Sequence, residues 1–417
     1  MRSSITIASL LALAACKADP NAARPPTEPA ASSIPVASSA PPSAPAPSAS
    51  ARPPLDLRAE ASARGATWLV EPGAHAYDDL AIAGDFLVWN DGAAIVRARK
   101  AGGPAIETKA DAQGLVADAT HAFWLESFGG CPKYEAPDSP RCRPFGYRFM
   151  KVGLAGGAAS TLVANIPKLP ESMALDERAL YWFDATDDYD VMRLRRVDKR
   201  GGAPATVADK VRYGYAIQFD GDDILWATYE RSTNGFPGGI VSVPRAGGKP
   251  NAIVSGLEKP GTFVVDRGAL FWWHARAVLQ TAPKTGGAPT TLASDGDNKM
   301  GSISFEVDAT DVWFVEHATN ETRIRRVPRA GGAPTTVVTE PIGISLERVD
   351  DRYVYFVTHE PKDGEQRLKR LTKSGGTIDE MLRAPGPKSV AEVLRVFGDG
   401  GAIYVAGAGG GLLRMAR

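Results

Sequence analysis

The chain has 417 residues, 44% hydrophobic and 23% charged, the make-up of a folded globular protein rather than a low-complexity or fibrous one. Its 48 Lys and Arg balance 48 Asp and Glu, so nothing in the charge argues for nucleic acid or for a basic face on an anionic membrane. The length allows one large domain or two to three average ones.

The first sixteen residues, MRSSITIASLLALAAC, place one basic residue, Arg2, before an apolar run from Ile5 to Ala15. That run is too short for a permanent transmembrane helix and reads as a signal peptide over residues 1–15. Its end, Leu13-Ala14-Ala15-Cys16, resembles the lipobox of bacterial lipoproteins. The resemblance implies cleavage before Cys16 and acylation of that residue. It also implies a bacterial envelope protein, lipid-anchored to a membrane and facing the periplasm or the cell surface. Residues 16–64 then read as a disordered tether. Eleven prolines fall between Lys17 and Pro54, among Ala and Ser, and no aromatic residue precedes Trp68. Such a segment buries too little apolar surface to offset its ordering entropy.

From residue 65 to the end one domain is expected, because two phrases alternate. The first is a strand ending in Asp, a tight turn, and a strand with an aromatic residue six positions after the Asp. Asp118/Trp124, Asp176/Trp182, Asp220/Trp226, Asp266/Trp272, Asp308/Phe314 and Asp350/Phe356 keep both members. Ala83/Trp89 lacks the Asp and Asp399/Val405 lacks the aromatic, which makes eight units. The second phrase is a basic strand, a Gly-Gly pair, and a strand rich in Thr and Val. Seven pairs occur, from Gly102-Gly103 to Gly375-Gly376. Glycine adopts positive φ without steric cost, so each pair is expected to form a two-residue hairpin. Four short antiparallel strands per unit is the pattern of a β-propeller blade. The fold expected is all-β, a single propeller with eight blades, seven or six being the alternatives. The last unit ends where its fourth strand should begin, and Thr67 to Val70 matches that missing strand. Pairing it near Leu412 to Met415 would close the ring and remove an exposed edge. The recurring aromatics are expected between blades, in the core.

The segment ALDERALYWFD, Ala174 to Asp184, is similar to the YWTD repeat of lipoprotein-receptor propellers and, more loosely, to TolB-like propellers. The resemblance covers the strand pair of each unit and implies fold, not ligand. YWTD propellers have six blades, and eight units are counted here.

Function is expected on the face carrying the loop after each aromatic strand and the loops between blades, because only those vary. Unit two inserts Glu126 to Tyr147, with Cys131 and Cys142 separated by ten residues. An oxidising compartment favours a disulfide there. Asp184, Asp187, Asp188 and Asp190 are oxygen ligands suited to a hard cation such as Ca2+, without EF-hand spacing, and otherwise form a solvated acidic loop. Tyr189, Tyr213, Tyr215, Tyr229 and Phe236, with Arg212 and Arg231, are the residue types that anchor interfaces. His274, His317 and His359 lie just past the aromatics of successive units and are candidates for a common funnel. No H-E-x-x-H, G-x-S-x-G or C-x-x-C motif occurs, and no cofactor is implied. The reading favoured is a binding module for an envelope protein or glycan. The alternative is a hydrolase or lyase with its site in the funnel.

Overall fold

In the computed structural model, residues 55–73, 77–130, 143–188, 191–230, 237–258, 260–274, 278–294, 304–318, 320–341, 343–360, 364–387, 393–408 and 410–417 are described. They form six four-stranded antiparallel sheets and one of seven strands, which together make eight four-stranded blades, numbered here 1 to 8. Blade 1 starts with Asp78–Ala83 and blade 2 with Ala112–Ala117. Blade 3 starts with Glu171–Leu175, blade 5 with Pro260–Asp266 and blade 6 with Phe305–Val307. Blade 7 starts with Ile344–Val349 and blade 8 with Arg395–Gly398. Blades 3 and 4 share one 16-residue strand, Ala205–Asp220, which is the last strand of one and the first of the other. The first strands of neighbouring blades touch within blades 1 to 5 and within blades 6 to 8, so these strands line the ring's centre.

Each blade follows from its local chemistry. In blade 3 the Oδ1 of Asp176 accepts hydrogen bonds from the backbone N–H of Arg178 and Ala179, at 2.8 and 2.7 Å, which closes the first turn. The same two-donor cap occurs at Asp118, Asp308, Asp350 and Asp399. The aromatics six positions on are core: Trp89, Trp124, Trp182, Trp226, Trp272, Phe314 and Phe356 are all buried between adjacent blades. Truncating one of them to Ala costs on the order of 3–5 kcal/mol.

The Gly-Gly pairs differ from expectation. The turn is made by the two residues before the pair, as where Gly201 N–H donates to Asp198 C=O at 2.8 Å across Lys199 and Arg200. The glycines follow it with φ of 113° and 123°, a path back to the fourth strand that residues with a Cβ rarely take.

Closure occurs as anticipated. Thr67, Trp68 and Val70 pair with Arg414, Leu413 and Leu412. A Cβ on Gly411 would lie 2.4 Å from the Trp68 ring, so only glycine lets the closing strand seat. The N-terminal boundary is earlier than residue 65. Leu57–Ala63 is a helix, N-capped by Asp56, that buries Leu57 and Ala61 against blades 7 and 8. Glu60 meets Arg383 and Arg64 meets Glu380, both on the outer strand of blade 7. Its sequence, LRAEASA, is rich in helix-favouring Ala, and only the tertiary contact makes so short a helix stable. No helix among the described residues is long and apolar enough to cross a membrane.

Candidate functional site: two unlike faces and a charged inner seam

The face carrying the Asp turns is a ring of ion pairs. Each turn Asp meets a Lys or Arg of the following blade, which stands two residues before the Gly pair in every case but Arg417. The pairs are Lys199–Asp118 (2.6 Å), Arg245–Asp176 (2.7 Å), Lys284–Asp220 (2.8 Å), Arg329–Asp266, Lys373–Asp308 (2.6 Å) and Arg417–Asp350 (3.1 Å). Lys100–Asp399, at 2.7 Å, ties blade 1 back to blade 8. Burial by itself would raise the carboxyls of Asp118, Asp308 and Asp399. Their Lys partners and turn N–H donors outweigh it and hold all three at about 2.

The eighth seam has neither member. Ala83 replaces the Asp in blade 1, Leu154 replaces the cation in blade 2, and the two residues are buried in one apolar cluster. Arg97, fully buried, still crosses that seam by donating to Gly153 C=O at 2.7 Å. This face therefore spends its charge on itself. At the closing seam an open depression of about 500 Å3 is lined by Lys100, Asp399, Tyr404 and Arg414.

The opposite face is irregular. The second and third strands of blade 2, His121–Gly130 and Arg143–Gly153, are longer than the second and third strands of the other blades among the described residues. Phe145, 55% exposed, stands on that hairpin beside Tyr147, with ring centroids 5.1 Å apart. Leu169, 43% exposed, lies in the link from blade 2 to blade 3. Cys131 and Cys142, between the hairpin strands, lie outside the described residues, as does Cys16.

The other expected residues divide. Asp184 meets Arg195 at 3.5 Å, while the fully exposed Asp187 accepts from Lys168 at 2.6 Å. Asp188 shares their loop, and Tyr189 and Asp190 lie outside the described residues. Among the described residues no three His, Cys, Asp or Glu gather as a metal site. Arg212 pairs with Glu230 at 2.5 Å on the rim, and Arg231 and Phe236 fall outside the described residues.

The tyrosines are not the surface anchors expected. Tyr213 is buried, and its ring and that of Tyr215 pack on Tyr229 at 5.0 and 5.4 Å, inside the joint of blades 3 and 4. The continuous strand there leaves no loop to carry them outward. The Tyr215 hydroxyl donates to the Pro260 carbonyl of blade 5, and burial pushes its pKa well above the usual phenol range.

His274, His317 and His359 do occupy one level of successive blades. Each closes the pairing of its second and third strands, opposite Val278, Thr322 and Gln366. That level is one strand away from the ring's centre. His317 Nδ1 lies 3.3 Å from Thr322 Oγ1, and desolvation holds His359 below the ordinary imidazole pKa.

Sequence reasoning passed over the inner seam of blades 6 to 8. Two residues before the turn Asp, most first strands carry an apolar side chain: Val116, Ala174, Val264 and Phe397. Blade 4 has Gln218 there, blade 6 Glu306 and blade 7 Arg348. Glu347, beside Arg348, accepts from the Val396 N–H of blade 8 at 3.3 Å and from Ser345 Oγ at 2.6 Å, and lies 3.5 Å from Arg395. Burial raises the pKa of both Glu306 and Glu347. A charge at an otherwise apolar strand position was the available signal.

Architecture and closure define the molecule as an eight-bladed β-propeller. No protein-family model matches the chain, and no curated protein matches it by sequence. Solved structures match its fold. The computationally designed protein Ika8 aligns at a TM-score of 0.55 and 12% identity, over 84% of this chain and 99% of that one. BamB from Moraxella catarrhalis aligns at 0.50 and 13%, over 84% and 100%. A prolyl endopeptidase aligns at 0.53 and 11%, over 84% of this chain but 54% of the other. At such identities the likeness is one of fold.

Proposed function

We propose that this protein is a lipid-anchored propeller of the bacterial envelope that holds a partner protein on its irregular face. The observation that carries the reading is the contrast between the faces. On one, seven ion pairs are spent on joining blades. On the other, Phe145 stands exposed on the extended hairpin of blade 2 and Leu169 on the link that leaves that blade. Apolar side chains left out on a rigid scaffold are the usual start of a recognition surface. A glycan remains the second ligand class, since an exposed aromatic ring such as Phe145 also stacks on sugars.

The anchor follows from the lipobox-like Leu13-Ala14-Ala15-Cys16. One acyl chain binds a membrane marginally and several hold it firmly. Cys16→Ser is expected to move the protein from the membrane fraction to the soluble fraction of the producing cell. Retention in the membrane would refute the anchor. Recognition is tested separately, by recovering partners from envelope extract on the propeller and on its Phe145→Asp/Leu169→Asp variant. Equal recovery of every partner, protein or glycan, would refute the assignment of the face.

A further inference from the structure

We propose that the depression at the closing seam, between blades 8 and 1, binds a small molecule through an oxyanion, a carboxylate or phosphate group, held by Arg414 and Lys100. The proposal starts from a position that recurs on the third strand of the blades, opposite the residue five after the turn Asp. In blade 3 it is Arg196, opposite Tyr181, and in blade 8 it is Arg414, opposite Tyr404. Blades 2, 6 and 7 have Lys151, Arg326 and Arg370 there.

In those other blades the cation is engaged. Lys151, Arg196 and Arg326 reach across their seams and donate to the carbonyls of Lys199, Arg245 and Lys373, at 2.8, 2.8 and 3.2 Å. Each of those acceptors is the turn cation of the next blade. Arg370 turns to its own fourth strand and pairs with Asp379 at 3.2 Å. Among the described residues Arg414 has neither kind of partner. Its neighbour on the fourth strand is Thr67, because the N-terminal strand supplies that place and brings no carboxylate to it. The Arg414 guanidinium stays exposed beside the Tyr404 hydroxyl. The seam that it leaves uncrossed is the one that carries the depression of about 500 Å3.

The one carboxylate in the lining does not compete for Arg414. Asp399 Oδ1 accepts from Gly401 N–H and Ala402 N–H at 3.1 and 3.2 Å. Its Oδ2 accepts from the Tyr404 hydroxyl at 3.1 Å and from Lys100 Nζ at 2.7 Å. Those four bonds fill its accepting positions. An ammonium has three donors, so Lys100 keeps donors beyond the one that Asp399 takes. The planar fork of a guanidinium fits two oxygens of a carboxylate or phosphate at once. Arg414 belongs to blade 8 and Lys100 to blade 1, so the bound anion bridges this seam as the Arg196 bond bridges blades 3 and 4. The volume falls in the range of small-molecule sites, about 300–1,000 Å3, and leaves room for the body that bears the anion. This site is separate from the partner surface proposed around Phe145.

Inorganic phosphate and acetate are the probes, titrated against the full chain at constant ionic strength with chloride as the balance. The Tm of the native protein is expected to rise with phosphate, with acetate or with both, beyond the matched chloride control. Hydrogen exchange followed by mass spectrometry should slow several-fold in the segment holding Thr67 to Val70, whose strand closes the seam. Arg414→Gln should melt close to the native protein in chloride and lose most of both effects. Arg370→Gln, at the matching position of blade 7, should keep them. A response to phosphate alone assigns the site to phosphate groups, and a response to acetate alone assigns it to carboxylates. No response of the native protein to either probe overturns the site, and so does an equal response in Arg414→Gln.

Discussion

Replacing Asp308 with Asn tests the ring of ion pairs at one of its enclosed members, whose side chain is 9% exposed. Oδ1 accepts from Thr310 N–H and Asp311 N–H at 2.8 and 2.9 Å, and Asn keeps that oxygen and the turn. Oδ2 accepts from Trp313 Nε1 and from Lys373 Nζ, both at 2.6 Å. Asn puts an NH2 there, and two buried donors lose their acceptor. The carboxyl is held at about 2 against an ordinary 3.8, which corresponds to about 2 kcal/mol of stability at neutral pH. Because the folded pKa is depressed, that contribution is whole above the ordinary value and is lost as pH falls toward 2. Scaling the unfolding entropy to a domain of roughly 350 residues turns this into a Tm deficit of about 3 °C. Thermal melts of native and Asp308→Asn protein should show that gap unchanged from pH 7 to 5 and roughly halved by about pH 3. A gap that is absent at neutral pH, or as large at pH 3 as at pH 7, would refute the electrostatic account.

At the apolar seam, Leu154→Lys buries an ammonium against Ala83 and should cost about 3 kcal/mol. Adding Ala83→Asp should recover most of it, and a double variant no more stable than the single one would show that the two seams are not equivalent. Removing residues 1–54 should leave the Tm unchanged in calorimetry. Removing residues 1–64 also strips the helix with Leu57 and Ala61 and should cost about 2 kcal/mol. Removing residues 1–72 takes the closing strand as well and should lower the Tm further; equal melting of the last two truncations would mean that the strand does not close the ring.

The blades were legible because their signals are local. An Asp whose oxygen caps the N–H groups two and three residues on, as Asp176 does, works within one turn and leaves its mark at fixed spacing. The buried aromatic six residues later sits on the next strand, so eight units and their core residues could be counted along the chain. The closing strand was legible for a similar reason: a unit short of one strand leaves a gap that only a matching segment fills. The short helix was not, since Leu57 and Ala61 have no partner until blades 7 and 8 exist. The tyrosines misled because Tyr213 and Tyr215 look like loop residues after the 16-residue strand's first half, and only pairing with Tyr229 shows that the strand continues.

By itself the sequence determined the class of strand, the turn chemistry, the number of blades and the place where the ring would shut, since each depends on residues within a few positions of one another. The tertiary structure alone decided which Asp met which cation, because Asp176 and Arg245 are 69 residues apart and are neighbours only in the ring. It also decided that Ala83 and Leu154 replace a pair together, and that the Glu306 carboxyl lies within the seam of blades 6 and 7. Those outcomes depend on the angle at which one blade meets the next, which is set by side chains from both blades packing at once.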